Sequence, residues 1–198
     1  GEVSGNWTTS YQYWVMGDVT VPEGDSLVID AGVRVKFSTG TGMTSNGTLI
    51  ANGTEEAHVI FTSREPTPVP GVWTNIQLYG ENNILSWVDY EWATDGFTGD
   101  GASESTFDHL TMVGSLSLGA NGIYFTNSSS MTFTNNEISV AGNELIYCSE
   151  PANSTFSANV LTGSGRGIYA NNADGSTVSD NNITTNNSTA AVDMDYCH

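Results

Sequence analysis

The sequence predicts an all-β fold, a right-handed single-stranded parallel β-helix (a solenoid) with coils of about 22–24 residues. Three observations carry this. Apolar residues recur in columns at one spacing, the composition is that of short strands and turns, and no 3.6-residue apolar period appears anywhere.

The columns are clearest in the C-terminal half. Gly122-Ile123-Tyr124 aligns with Leu145-Ile146-Tyr147, then Gly167-Ile168-Tyr169, then Ala191-Val192-Asp193, so the central residues lie 23, 22 and 24 positions apart. Phe133, Phe156 and Val178 form a second column. Asn136, Asn159 and Asn181 form a third, and Ile138, Leu161 and Ile183 a fourth. In a solenoid an inward residue stacks on its equivalent about 4.8 Å away, and the stack buries a core that no single coil could bury alone. The Asn column is expected to supply left-handed backbone at a sharp bend and to hydrogen-bond up the stack. The 22 Gly, 22 Ser and 24 Thr provide turns and strands, while recurring Ile, Leu, Val and aromatic residues argue against disorder.

One domain spanning 1–198 follows, most regular over 122–195. Residues 1–18 read as an N-terminal arm or cap. The strand-like runs upstream are Val19–Val21, Leu27–Ile29, Val33–Phe37, Thr48–Ala51, Val59–Thr62, Ile76–Tyr79 and Leu85–Trp92. Two stretches, 64–72 with three prolines and 95–106 rich in Gly, Asp and Ser, read as loops leaving the solenoid.

The segments GIYFTNSSSMTFTNNEIS and GIYANNADGSTVSDNNIT resemble the repeats of right-handed parallel β-helix surface proteins and of the carbohydrate-binding and sugar-hydrolase solenoids. VTVPEGDSLVIDAGVRVKF, GTLIANGT and HVIFTS resemble the opening coils of such surface proteins, and PGVWTNIQLYG resembles their Pro-Gly-x-Trp-x-x-Ile coil start. The resemblance covers roughly residues 12–195 and implies the fold; function is read from sites, since this architecture hosts many roles.

The formal charge is −18, from 22 acids and only four bases, Arg34, Lys36, Arg64 and Arg166. So few cations exclude nucleic-acid binding as an expectation. No apolar run is long enough to span a membrane as a helix. An extracellular or cell-surface protein is expected.

Polysaccharide lyases and hydrolases built on this architecture cluster carboxylates with a basic partner, because proton transfer needs an acid or base beside a stabilised substrate charge. No such set is legible here, so no catalytic residue is assigned and a non-enzyme is expected. His58 and His109 lie in strand-like segments, and His198 ends the chain.

For carbohydrate contact the candidates are Trp87, Asp89 and Glu91, with Trp73 and Tyr79 nearby. Alternation places Val88, Tyr90 and Trp92 on one face of their strand and Trp87, Asp89 and Glu91 on the other. An exposed indole beside carboxylates can stack on a sugar ring and bind its hydroxyls. The alternative is that a loop or a neighbouring subunit covers Trp87. Acids at Asp95, Asp100 and Glu104, and at Asp193 and Asp195, match no calcium-loop spacing. No cofactor and no metal site is expected beyond weakly held surface calcium.

Sequons occur at Asn6, Asn46, Asn52, Asn127, Asn153, Asn182, Asn186 and Asn187, mostly in turns where a glycan would be exposed. Cys148 should point inward two residues after Ile146. Cys197 lies about two coils further on, nearly 10 Å along a regular stack against the roughly 7 Å a disulfide spans. A last coil that folds back would close that distance, so both outcomes stay open. The final coil, 190–198, lacks an obvious polar cap, and an open coil end accepts another chain. The expectation is a structural subunit of a surface layer, sheath, filament or adhesin stalk that self-associates through its ends. A carbohydrate-binding module is the alternative, and a polysaccharide lyase or hydrolase a further one.

Overall fold

The computed structural model describes residues 1–113, 120–140, 142–186 and 191–195, with the backbone alone at Val113 and Asp195. It is a parallel β-solenoid of about eight turns, with no helix among the described residues. The first coil holds β1 (Gly5–Trp7), β2 (Tyr13–Val15) and β3 (Val19–Val21). The second holds β4 (Ser26–Asp30), β5 (Arg34–Phe37) and β6 (Met43–Ser45), and the third β7 (Thr48–Asn52), β8 (Val59–Ser63) and β9 (Ile76–Leu78). The fourth and fifth have two strands each, β10 (Ile84–Tyr90) with β11 (Phe97–Asp100), and β12 (Thr106–Val113) with β13 (Ile123–Thr126). Three strands return in the last coils: β14 (Thr132–Thr134), β15 (Glu137–Val140) and β16 (Glu144–Ser149); β17 (Thr155–Ser157), β18 (Val160–Gly163) and β19 (Arg166–Asn171); β20 (Thr177–Ser179), β21 (Asn182–Thr185) and β22 (Val192–Asp195).

Each strand pairs in parallel with its equivalent one coil away, which produces three faces. One face stacks β3, β6, β9, β11, β13, β16, β19 and β22. The other two stack β1, β4, β7, β14, β17, β20 and β2, β5, β8, β15, β18, β21; β10 and β12 run across both, which joins them into one sheet. The register matches the sequence columns: Ile123 pairs with Ile146, Ile168 and Val192 in turn, Phe133 with Phe156 and Val178, and Ile138 with Leu161 and Ile183.

The core is aromatic along its length. Phe37 stacks on Trp73 at 4.1 Å and 7°, while Phe107, Phe133 and Phe156 stack at 5.2 and 5.1 Å. Trp73 is fully buried and donates its indole N–H to the Glu91 carbonyl at 2.7 Å. The Tyr90 hydroxyl accepts from the Ile76 amide and donates to the Asp95 carbonyl, and burial raises its pKa well above the usual phenol range. Glycine in the Gly-Ile-Tyr repeats is dictated by the coil spacing. A Cβ on Gly122 would collide with the Leu145 carbonyl, and one on Gly167 with that of Ala191.

The Asn column divides its two expected tasks differently. Asn136, Asn159 and Asn181 form a hydrogen-bonded ladder. The Asn136 side-chain N–H donates to Asn159 Oδ1 at 2.9 Å and to the Phe107 carbonyl, and Asn159 repeats this toward Asn181 Oδ1 at 2.8 Å and the Phe133 carbonyl. The left-handed backbone belongs instead to the residue before each of them, Asn135, Ala158 and Asp180, all at φ 55°. A ladder side chain must point into the core, so the reversal falls one step earlier.

Two boundary expectations change. Residues 1–18 form the first coil, because β1 pairs with β4 and β2 with β5. The 95–106 stretch is no excursion: β11 lies in it and pairs with β9 and β13. Its Gly and Asp residues read as a loop because they crowd a short strand: Asp95 and Gly96 precede β11, Gly99 and Asp100 end it, and Gly101 turns the corner after it at φ 72°. The 64–72 stretch does leave the strands, as a mostly exposed loop between β8 and β9.

Candidate functional site

Trp87 and His109 occupy one corner of the solenoid, 22 residues and one coil apart, both with left-handed backbone at φ 50° and 53°. The corner exists because β10 and β12 each bend mid-strand from one face to the next. Ser86 pairs with Asp108 before the bend and Val88 with Leu110 after it. The half-buried indole is therefore not a free platform. The His109 ring stacks on it at 3.9 Å and 15°, and the His58 ring lies 5.4 Å away at 46°. A neighbouring coil does the covering, in place of the loop or neighbouring subunit named for it from the sequence. Trp73 is fully buried and cannot meet a ligand.

The flanking carboxylates orient the imidazoles. His58 Nδ1 lies 2.8 Å from Asp89 Oδ1, and His109 Nδ1 lies 2.8 Å from Asp108 Oδ2. Burial pushes the Asp108 carboxyl up, but hydrogen bonds from Asn135, His109 and Thr134 outweigh it and hold the group below the ordinary carboxylate range. Glu91 accepts from the Thr62 hydroxyl at 2.7 Å. Sequence reasoning placed Trp87, Asp89 and Glu91 together but left out both histidines. The signal was present, since His109 follows Trp87 by one coil length.

The remaining acids are turn residues with local partners. Asp95 Oδ1 accepts from the Asn121 amide, and Asp100 Oδ1 accepts from Thr126 and Asn127 at 2.6 Å. Those two hydrogen bonds hold the pKa of Asp100 below its ordinary value. Glu104 stands at a left-handed corner with φ 58°. Asp193 lies 3.7 Å from Arg166, which donates to Glu144 at 2.7 Å. Among the described residues no three His, Cys, Asp or Glu side chains converge as a metal site would require.

The sequon residues Asn6, Asn46, Asn52, Asn127, Asn153, Asn182 and Asn186 are all exposed; Asn187 lies outside the described residues. Cys148 is buried, and burial pushes its thiol far above the ordinary range. Its expected alternative pairing involves Cys197, which lies outside the described residues. A surface groove of about 740 Å³ runs along the N-terminal coils. It is lined by Glu23, Asp25, Glu81, the exposed Tyr79 and glycines that include Gly47 and Gly80.

The model of one family, described as "Periplasmic copper-binding protein (NosD)", matches residues 39–193. No curated protein and no solved structure gives a significant match. Copper prefers imidazole, thiolate and thioether donors. His58 and His109 flank the Trp87 indole, each with Nδ1 against a carboxylate, and among the described residues no group of three His, Cys, Asp or Glu side chains forms around them. Cys148, Met43, Met112 and Met131 are core residues. The described side chains therefore do not compose a copper site. The match nonetheless covers most of the chain, from the second coil to the last, and the chain belongs to the NosD family of β-helix proteins, a family described as periplasmic.

Proposed function

We propose that this chain is a non-catalytic scaffold working outside the cytoplasm, a subunit of a surface layer, sheath, filament or stalk that self-associates through its C-terminal coil. The observation that carries this reading is the course of the apolar columns along the stack. The fully buried Phe156, Leu161 and Ile168 are followed in the last coil by Val178 and Ile183, only half-buried, and by Val192, 37% exposed. Apolar columns that continue into solvent favour burial against a partner. The strands that carry them, β20, β21 and β22, each have a single ladder partner among the described residues, as do β1, β2 and β3. In the first coil Trp7 and Tyr13 stack 4.4 Å apart, with the Tyr13 hydroxyl accepting from the Thr8 amide.

The family's description supports a location beyond the cytoplasmic membrane, and the exposed sequons suit such a surface. No helix among the described residues is long and apolar enough to cross a membrane. Copper binding, which the family's description names, has no donor set among the described residues and is not part of this reading.

Sedimentation velocity over a range of concentrations, with electron microscopy of the same samples, tests the proposal. The wild-type chain should form larger species, and Val192→Lys should remain monomeric. A wild-type chain that stays a dispersed monomer throughout rules out the assembly reading. Turnover of a polysaccharide would overturn the non-catalytic one.

A further inference from the structure

The chain has only four bases, and three of them meet on one patch. Arg34 and Lys36 point outward from β5. Trp14 on β2 pairs with Lys36, and Arg64, just past β8, lies over the Trp14 ring at 4.9 Å. Trp14 is 52% exposed and neighbouring Tyr11 is 73% exposed. Tyr11, Trp14, Arg34 and Lys36 line one cavity of about 230 Å³ together with Thr9 and Gln12.

The charge state of this patch sets it apart. With 22 acids in the chain, a surface cation has many carboxylates available. Arg166 takes two of them, Glu144 and Asp193. Arg34, Lys36 and Arg64 take none among the described residues. Like charges held side by side repel, and two large aromatic rings left in water forgo burial. Both costs are relieved by one kind of occupant, a ring with an apolar face that also carries a negative charge.

We propose that this cavity binds an acidic saccharide, a pyranose chain bearing carboxylates. A pyranose face packs on Trp14 and Tyr11, while its carboxylate accepts from the Arg34 guanidinium and the Lys36 ammonium. Thr9 and Gln12 offer hydrogen-bonding groups to the ring hydroxyls. The overall charge of −18 opposes an anionic ligand at long range, but at about 0.1 M salt the screening length is about 10 Å. A ligand in the cavity then feels chiefly the three nearby cations. This site is distinct from the C-terminal coil edge and does not depend on the assembly proposal.

The test is calorimetric titration of the full chain with tetragalacturonate, and with neutral galactotetraose as the comparison. The wild-type chain should bind the acidic tetramer about tenfold or more tighter than the neutral one. The double variant Arg34→Ala/Lys36→Ala should weaken it by about tenfold or more, and Trp14→Ala should weaken both ligands. These side chains stand outside the core, and circular dichroism of each variant checks that the coil survives. Absence of binding to wild type at millimolar concentration overturns the proposal. So does equal affinity for the neutral tetramer, or undiminished binding by the folded double variant. Self-association that the double variant abolishes would assign the patch to a second copy of the chain, and also overturns it. Val192→Lys leaves this patch untouched, so failure of the assembly reading is read separately.

Discussion

Trp87 and His109 stack ring on ring, 3.9 Å apart and 15° from parallel, at a corner where both backbones are left-handed. A non-glycine residue in this conformation costs about 1–2 kcal/mol, and two successive coils carry that cost at the same place. The stack offsets part of it. A double-mutant cycle on Trp87→Ala and His109→Ala should give a coupling of about 0.5–1.5 kcal/mol. Urea unfolding of the four proteins measures it, and strictly additive losses would show the rings to be neighbours without interaction.

The amide ladder sets a gradient of stability. Asn159 is buried and joins Asn136 to Asn181. Its Oδ1 accepts from the Asn136 backbone and side-chain N–H groups, and its own N–H groups reach the Phe133 carbonyl and Asn181. Asn159→Ala strands several buried polar groups and should cost about 3 kcal/mol or more. Asn181→Ala, at a half-buried position near the coil end, should cost less. Equal losses at the two positions would mean that the ladder is no stronger in the interior than at its end.

Ala158 holds φ 55° at an exposed corner with no side-chain amide to compensate. Ala158→Gly removes the Cβ that disfavours this conformation. The substitution should stabilise the fold by roughly 1 kcal/mol, although glycine gains entropy in the unfolded chain. A lowered midpoint in thermal unfolding would show that the corner is not strained.

Asp108 should contribute to acid sensitivity. Its carboxyl is held below the ordinary range in the folded state, so its share of stability is present above the unfolded value, about 3.9. That share is lost as pH falls through the lower folded value. Asp108→Asn should therefore be less stable than wild type at neutral pH, and the gap should narrow below about pH 4. Unfolding free energies measured across that range check the sign, and a gap that widens on acidification would contradict it.

The C-terminal coils were legible in the sequence because their repeat is uniform, with Ile123, Ile146 and Ile168 stacking at the spacing read from the chain. Most runs between Val19 and Trp92 were found as strands because Gly or Pro bounds them. β6 and β11 were missed. Met43–Ser45 and Phe97–Asp100 are short and carry Ser, Thr, Gly or Asp, so their local composition is that of a turn. They are strands because their neighbours in the stack offer paired edges, and that is a tertiary effect.

The sequence by itself determined the solenoid, its coil length and its inward columns, because stacking forces equivalent residues to recur at a fixed period. Only the tertiary structure decided what the surface residues face. Trp87 had the residue type of a sugar platform, but the next coil brings His109 over its ring. Trp14, the Arg34 and Lys36 pair, and Arg64 come from three successive coils, and the face of β2, β5 and β8 gathers them. A period fixes which residues stack in the core, whereas corner angles and the pairing between coils fix which side chains meet outside it.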